Sequence, residues 1–254
     1  MKKIFFAALV ISSVMSQAQI LRMGEIPNSD NILSNRLMDP YASSNGGVLN
    51  QRGEMYLNQA GTPGAGRTLS YSDIQGNAYY SKDFVTTKFE GVTEPAPGRY
   101  NTYLDEVEFK KEKNDDKVYV LPKNDMFSRI TFLDSKDTLV KLDTGDDLSG
   151  YFFEIVAGQQ YGLYKKMKTT FINGTVSDNA YSNNTPPSFK NLNPIYYIKT
   201  PSGFIKNPKN TKEIIEALPG QKDQLEGYLK SNKTKVNKQD DLAKLVNFLN
   251  GKSN

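Results

Sequence analysis

Tyr151-Phe152-Phe153-Glu154-Ile155-Val156, followed by Ala157-Gly158-Gln159, decides the fold class. An apolar run this short, rich in aromatic and β-branched residues and bounded by turn chemistry, reads as a central strand covered on both faces. Ala157-Gly158-Gln159 reads as a tight hairpin into a second strand within residues 160–172. Working outward, the same grammar repeats. In Asp105-Glu106-Val107-Glu108-Phe109, Val107 and Phe109 share one face and Glu106 and Glu108 the other; Ile130 and Phe132 likewise alternate with Arg129 and Thr131. Such period-2 alternation is what a sheet with one wet face requires. Asn114-Asp115-Asp116 reads as the connection of another strand pair. Eight or nine strands without helical crossovers follow, hence an antiparallel meander: a curved sheet, a sandwich or an open barrel.

After residue 206 the period becomes helical. Asn210 stands three before Glu213, the spacing of an N-terminal cap, and Ile214, Ile215 and Leu218 line one side. Pro219-Gly220 interrupts. Leu225, Tyr228 and Leu229 follow at helical spacing, with Asn232 as a stop. Asn237 precedes Asp240 by three, and Leu242, Leu245, Val246 and Leu249 form a last stripe ending at Gly251. Helices this short are marginal alone, so packing on one another or on the sheet is expected. The fold class is α+β, mainly β, with a small C-terminal helical segment.

The N-terminus predicts export. Lys2 and Lys3 precede an apolar stretch over residues 4–15, and Ser16-Gln17-Ala18 supplies small residues for cleavage before Gln19. A membrane span needs roughly 20 apolar residues, which this run lacks. The expected division is a signal peptide (1–18), an irregular Asn-, Ser-, Gly- and Pro-rich segment (19–76) with a short helix near 31–37, an antiparallel β domain (77–206) and a basic helical tail (207–254). The mature chain is expected to be soluble or peripherally attached, without a transmembrane segment.

Composition narrows the chemistry. The net charge of +4 falls to +2 without Lys2 and Lys3, too little for a nucleic-acid footprint. Residues 201–254 carry ten Lys against six acidic residues, which reads as a solvated helical face. With no Cys and no His, there are no disulfides, no cysteine nucleophile, no Ser-His-Asp triad and no ordinary zinc, copper or haem ligation.

Pro97-Gly98-Arg99-Tyr100-Asn101-Thr102-Tyr103-Leu104-Asp105-Glu106-Val107-Glu108-Phe109, Val118-Tyr119-Val120-Leu121-Pro122, residues 151–165 with their Phe-Glu-Ile-Val-x-Gly core, and the helical tail over 213–250 together resemble an uncharacterised family of exported Bacteroidetes proteins. The resemblance covers roughly residues 76–250 and leaves 19–75 aside. It implies a periplasmic or outer-membrane setting and carries over no catalytic residue.

Each motif that touches chemistry has a plainer reading. Gly61-Thr62-Pro63-Gly64-Ala65-Gly66-Arg67-Thr68 imitates a phosphate loop, but Arg67 replaces its lysine and no helix pattern follows; a flexible loop is favoured. Asp143-Thr144-Gly145 matches the aspartic-protease string in a single copy where two carboxylates are needed, so it reads as a polar turn. Asp143, Asp146 and Asp147 offer oxygen ligands for calcium without the spacing of a calcium loop. Asp105, Glu106, Glu108 and Glu154 are candidates for a glycosidase pair, against the plainer reading of an exposed charged strand face. Tyr79, Tyr80, Tyr100, Tyr103, Tyr151, Tyr161, Tyr164, Tyr196 and Tyr197 read as core and cross-strand packing rather than a glycan- or peptide-binding surface. The resemblance implies that Asp137-Thr138-Leu139 fits the pattern used for O-glycosylation in these bacteria, at Thr138. No residue is assigned as catalytic, cofactor-binding or metal-ligating, and no cofactor is implied. Three functions remain: a non-enzymatic envelope protein binding a protein or glycan or serving a structural role, a carrier of an apolar ligand in a curved sheet, and a carboxylate-based glycoside hydrolase.

Overall fold

The computed structural model describes residues 41–42, 47–49, 54–57, 68–71, 74–174 and 185–251. Strands β1 (Tyr41–Ala42), β2 (Gly47–Leu49), β3 (Glu54–Leu57) and β4 (Thr68–Ser70) pair in chain order as a small antiparallel sheet. The short helix expected near 31–37 lies outside the described residues.

The principal sheet is built from two meanders. The first is β5 (Val85–Phe89), β6 (Ala96–Asn101), β7 (Glu106–Phe109) and β8 (Tyr119–Val120). The second is β9 (Arg129–Phe132), β10 (Thr138–Leu142), β11 (Gly150–Val156) and β12 (Gly162–Lys166). Strand β9 returns to pair with β5, joining the two. The chain next forms a separate hairpin, β13 (Thr169–Ile172) with β14 (Ser188–Asn191), and then adds β15 (Ile195–Thr200) and β16 (Gly203–Lys206) beside β12. The resulting order is β16-β15-β12-β11-β10-β9-β5-β6-β7-β8, antiparallel throughout and not closed into a barrel.

As expected, β11 is a central strand covered on both faces: Tyr151 and Phe153 enter one core cluster and Phe152 another. Twelve strands, β5–β16, stand where eight or nine were expected, and one of the additions arises because residues 160–172 do not form one strand. The chain turns after Lys166, and Thr169 bonds the Thr102 carbonyl through its N–H (3.1 Å) and the Thr102 hydroxyl through its own (2.7 Å). The loop between β11 and β12 spans residues 157–161, longer than a tight hairpin, and a bulge at Ile155 puts Val156 on the face of Phe153.

The sheet is strongly curved. Tyr100 on β6 meets Phe153 on β11 at 5.8 Å between ring centroids, although β5, β9 and β10 lie between them in the sheet. In a flat sheet, four strand spacings would separate them by about 19 Å. The concave side is filled by Phe89, Tyr100, Val107, Phe109, Ile130 and Phe153, each at most 2% exposed.

The tail covers the other end of this sheet. Helix α1 (Thr211–Ala217) starts at Asn210, whose side chain accepts the Glu213 N–H (3.1 Å) while the Glu213 carboxylate accepts the Lys209 N–H (2.8 Å). A 3-10 turn at Pro219–Gln221 leads into α2 (Lys222–Asn232), which Lys233 ends in the left-handed region at φ 49°. Helix α3 (Gln239–Leu249) corrects the expected cap: Asn237 does not cap it, because the chain becomes helical only after Lys238, and the Asp241 carboxylate takes the Lys235 N–H instead. Ile214, Leu225, Leu229, Leu242, Leu245 and Val246 pack with Val156, Leu163 and Ile198 of the sheet. Among the described residues no helix is long and apolar enough to cross a membrane.

Candidate functional site

The turn between β6 and β7 is where charged groups converge. Arg99 and Glu108 stand directly opposite each other on these strands. The Arg99 Nε and Nη2 atoms donate to Glu108 Oε2 at 2.8 and 2.7 Å, and the guanidinium lies between the rings of Tyr79 (3.7 Å) and Phe84 (4.2 Å). Asn101 Nδ2 donates weakly to Glu108 Oε1 at 3.4 Å. Here the expectation of an exposed charged strand face fails: Glu108 is only 3% exposed. Ile74, Ala78 and Tyr79 pack with Tyr103 and with Phe189 of the β13–β14 hairpin, covering this end of the sheet. Glu106, on the same strand face as Glu108, is half-buried. Its burial, reinforced by the charges of Glu108 and Asp105 and opposed by Lys123, raises its pKa to about 7.

Asp105 forms a second network from the turn itself. Its backbone is in the left-handed region (φ 58°). Its Oδ1 accepts from the Tyr100 hydroxyl (2.7 Å) and Lys166 Nζ (2.8 Å), its Oδ2 from Lys123 Nζ (3.2 Å), and both from the Tyr151 N–H (3.3 Å). Lys166 is buried, donates also to the Tyr151 carbonyl at 2.9 Å, and faces the Phe152 ring. Burial lowers its pKa, against the raising effect of Asp105. Gly150 makes the approach feasible: it adopts φ +146°, and a Cβ there would overlap Asp105 Oδ2.

The remaining candidates do not join these two networks. Glu154 is held by Arg129 at 2.6 and 3.0 Å. Asp143-Thr144-Gly145 forms the polar turn between β10 and β11: the Asp143 carboxylate accepts the Gly145 N–H and the Ser149 hydroxyl. Burial pushes the Asp146 pKa up, but hydrogen bonds from Lys206, Thr144, Tyr197 and the Leu148 N–H outweigh it and hold the carboxyl below the usual range. The Tyr197 hydroxyl is pushed up to about 12 by burial and by donation to Asp146. The Lys206 ammonium therefore occupies the carboxylate offered to calcium, and no acidic trio among the described residues converges on a metal position. Residues 61–67 of the phosphate-loop imitation lie outside the described residues; Thr68 opens strand β4 where that motif needs a helix. Thr138 is half-buried, its hydroxyl 3.2 Å from that of Thr131. Most of the tyrosines are core residues, while Tyr80 remains 40% exposed over Phe153.

The concavities formed by described residues include two that bear on the candidates. One of about 150 Å³ is lined by Tyr80, Val85, Tyr100, Phe132 and Asp137. The other, an open depression of about 460 Å³, is lined by Lys88, Glu90, Val92, Arg129 and Thr131. Neither gathers the candidate glycosidase carboxylates. Arg99, Lys166 and Gly150 are not singled out by the sequence reading; a lysine at the end of an apolar strand gives no local sign of burial, and the glycine before Tyr151 is a signal that could have pointed to a close backbone approach. No family model, curated protein or solved structure matches the chain.

Proposed function

We propose that this chain is a non-enzymatic exported protein of the cell envelope, periplasmic, outer-membrane-associated or secreted, with a binding or structural role. Export rests on the tripartite pattern of residues 1–18 and on the resemblance to exported Bacteroidetes proteins. The observation that carries the non-enzymatic reading is how the carboxylates are engaged. Acid–base catalysis needs groups able to exchange a proton with a substrate, whereas Asp105, Glu108, Asp146 and Glu154 each accept from a lysine or arginine at 2.6 to 2.8 Å; Glu106, whose raised pKa would suit an acid, lines neither of the two concavities described above. A carrier needs an enclosed apolar space, commonly about 300 Å³ or more, but the concave side of the sheet is occupied by its own aromatic side chains.

Native mass spectrometry of the protein isolated from its host's envelope, before and after denaturation, tests this reading. A protein-sized or glycan partner supports it. Release of a small apolar molecule on denaturation would replace it with the carrier. Turnover of an envelope glycan, lost in Glu106→Gln, would replace it with the hydrolase.

A further inference from the structure

The contact between Lys166 and Asp105 brings an amine and a carboxyl group together under conditions that favour more than an ion pair. Lys166 Nζ is 2.8 Å from Asp105 Oδ1, and the Lys166 side chain is 4% exposed. We propose that Lys166 and Asp105 condense into an intramolecular amide, cross-linking the end of β12 to the β6–β7 turn with release of one water.

In the first step a proton passes from Nζ to Oδ1, turning the ion pair into a neutral amine and a carboxylic acid. Burial of the Lys166 end of the pair, 4% exposed, disfavours the ammonium and so favours that exchange. The amine lone pair then attacks Cγ, forming the Nζ–Cγ bond and placing negative charge on Oδ2. Lys123 Nζ at 3.2 Å and the Tyr151 N–H at 3.3 Å already donate to that oxygen, the arrangement that stabilises a developing oxyanion. The second proton leaves Nζ for Oδ1, with the Tyr100 hydroxyl, 2.7 Å from Oδ1, as relay. The Cγ–Oδ1 bond breaks, and water departs on the side where Asp105 is 21% exposed. An ammonium and a carboxylate thus give an amide and a water, without oxidant or further reactant. Holding the reacting groups in contact supplies an effective concentration that reaches about 10⁵ M or more in well-oriented intramolecular reactions.

The product fits the surroundings. The amide N–H keeps the Tyr151 carbonyl, now 2.9 Å from Nζ, as its acceptor. Oδ2 keeps Lys123 and the Tyr151 N–H, and the cation buried at Nζ disappears. Gly150 and the left-handed backbone of Asp105 hold this approach open. The link ties residues 61 positions apart in a chain that has no cysteine.

Intact mass spectrometry of the folded protein, denatured immediately before measurement, reads the reaction directly. The expected mass is one water below that calculated for the purified chain from its own N-terminus, and digestion should yield a branched peptide joining the Asp105 and Lys166 segments. Lys166→Arg should restore the full mass. Tyr100→Phe keeps the ring in the core and removes the relay, so freshly purified material should contain unlinked chains; complete linkage in that variant would overturn the relay. The full calculated mass in wild-type protein that melts cooperatively would overturn the proposal. So would a water loss mapped to a succinimide or to any other residue pair.

Discussion

Glu108→Ala is the sharpest test of the covered face on β7. The substitution removes the anion from a guanidinium that stays between Tyr79 and Phe84. Breaking a buried ion pair by deleting one partner costs about 3–5 kcal/mol, chiefly because the remaining charge is stranded. Arg99 keeps 18% side-chain exposure against 4% for Glu108, so some water reaches it and the lower end, about 3 kcal/mol, applies. Against a total stability of about 5–15 kcal/mol, that is a large fraction. With a urea dependence of about 2 kcal/mol per molar, the unfolding midpoint should fall by about 1.5 M. Arg99→Met combined with Glu108→Leu should recover most of the loss, since an apolar pair strands no charge. Equilibrium urea unfolding of wild type, Glu108→Ala, Arg99→Met, Glu108→Leu and the double variant gives the single loss and closes the cycle. A loss below about 1 kcal/mol with an unchanged slope would mark an exposed pair and refute the argument that this face is covered.

Three further outcomes follow from other elements. Glu106, with its pKa raised from 4.5 to about 7, is neutral in both states below pH 4.5. Between pH 4.5 and 7 the unfolded chain ionises first, so stability should decline by up to about 3 kcal/mol across that window; Glu106→Gln should flatten the profile, and identical urea midpoints against pH in the two proteins would refute the assignment. Gly150→Ala should cost about 3 kcal/mol or more in thermal unfolding, combining about 1–3 kcal/mol of backbone strain with displacement of Asp105; a cost under about 1 kcal/mol would mean the turn relaxes freely. Asn210→Ala should cost about 1 kcal/mol by removing the cap of α1, while Asn237→Ala should stay within about 0.5 kcal/mol. Equal losses in chemical denaturation would refute the difference between these two helix starts.

What could be read along the chain was what depends on near neighbours. The two-faced apolar run of β11, the alternation of β7 and β9, the Asn210 cap and the helical stripes from Ile214 to Leu249 all follow from residues within a few positions of one another. Mainly-β class, antiparallel pairing and a helical tail packed on the sheet emerged from those signals. Alternation also placed Glu106 and Glu108 together on one face, but it could not say what lies over that face. Burial of Glu108 depends on Tyr79, on Phe84 and on the covering by Ile74 and Phe189, which arrive from distant parts of the chain. The same holds for Lys166: its sequence neighbours make it look like the wet end of a strand, and only the curvature that brings the β6–β7 turn to β12 gives it Asp105. Periodicity determines which way a side chain points, because pleat and helix pitch are local geometry. Which groups meet there is decided by tertiary packing, since desolvation and charge pairing depend on distances through space.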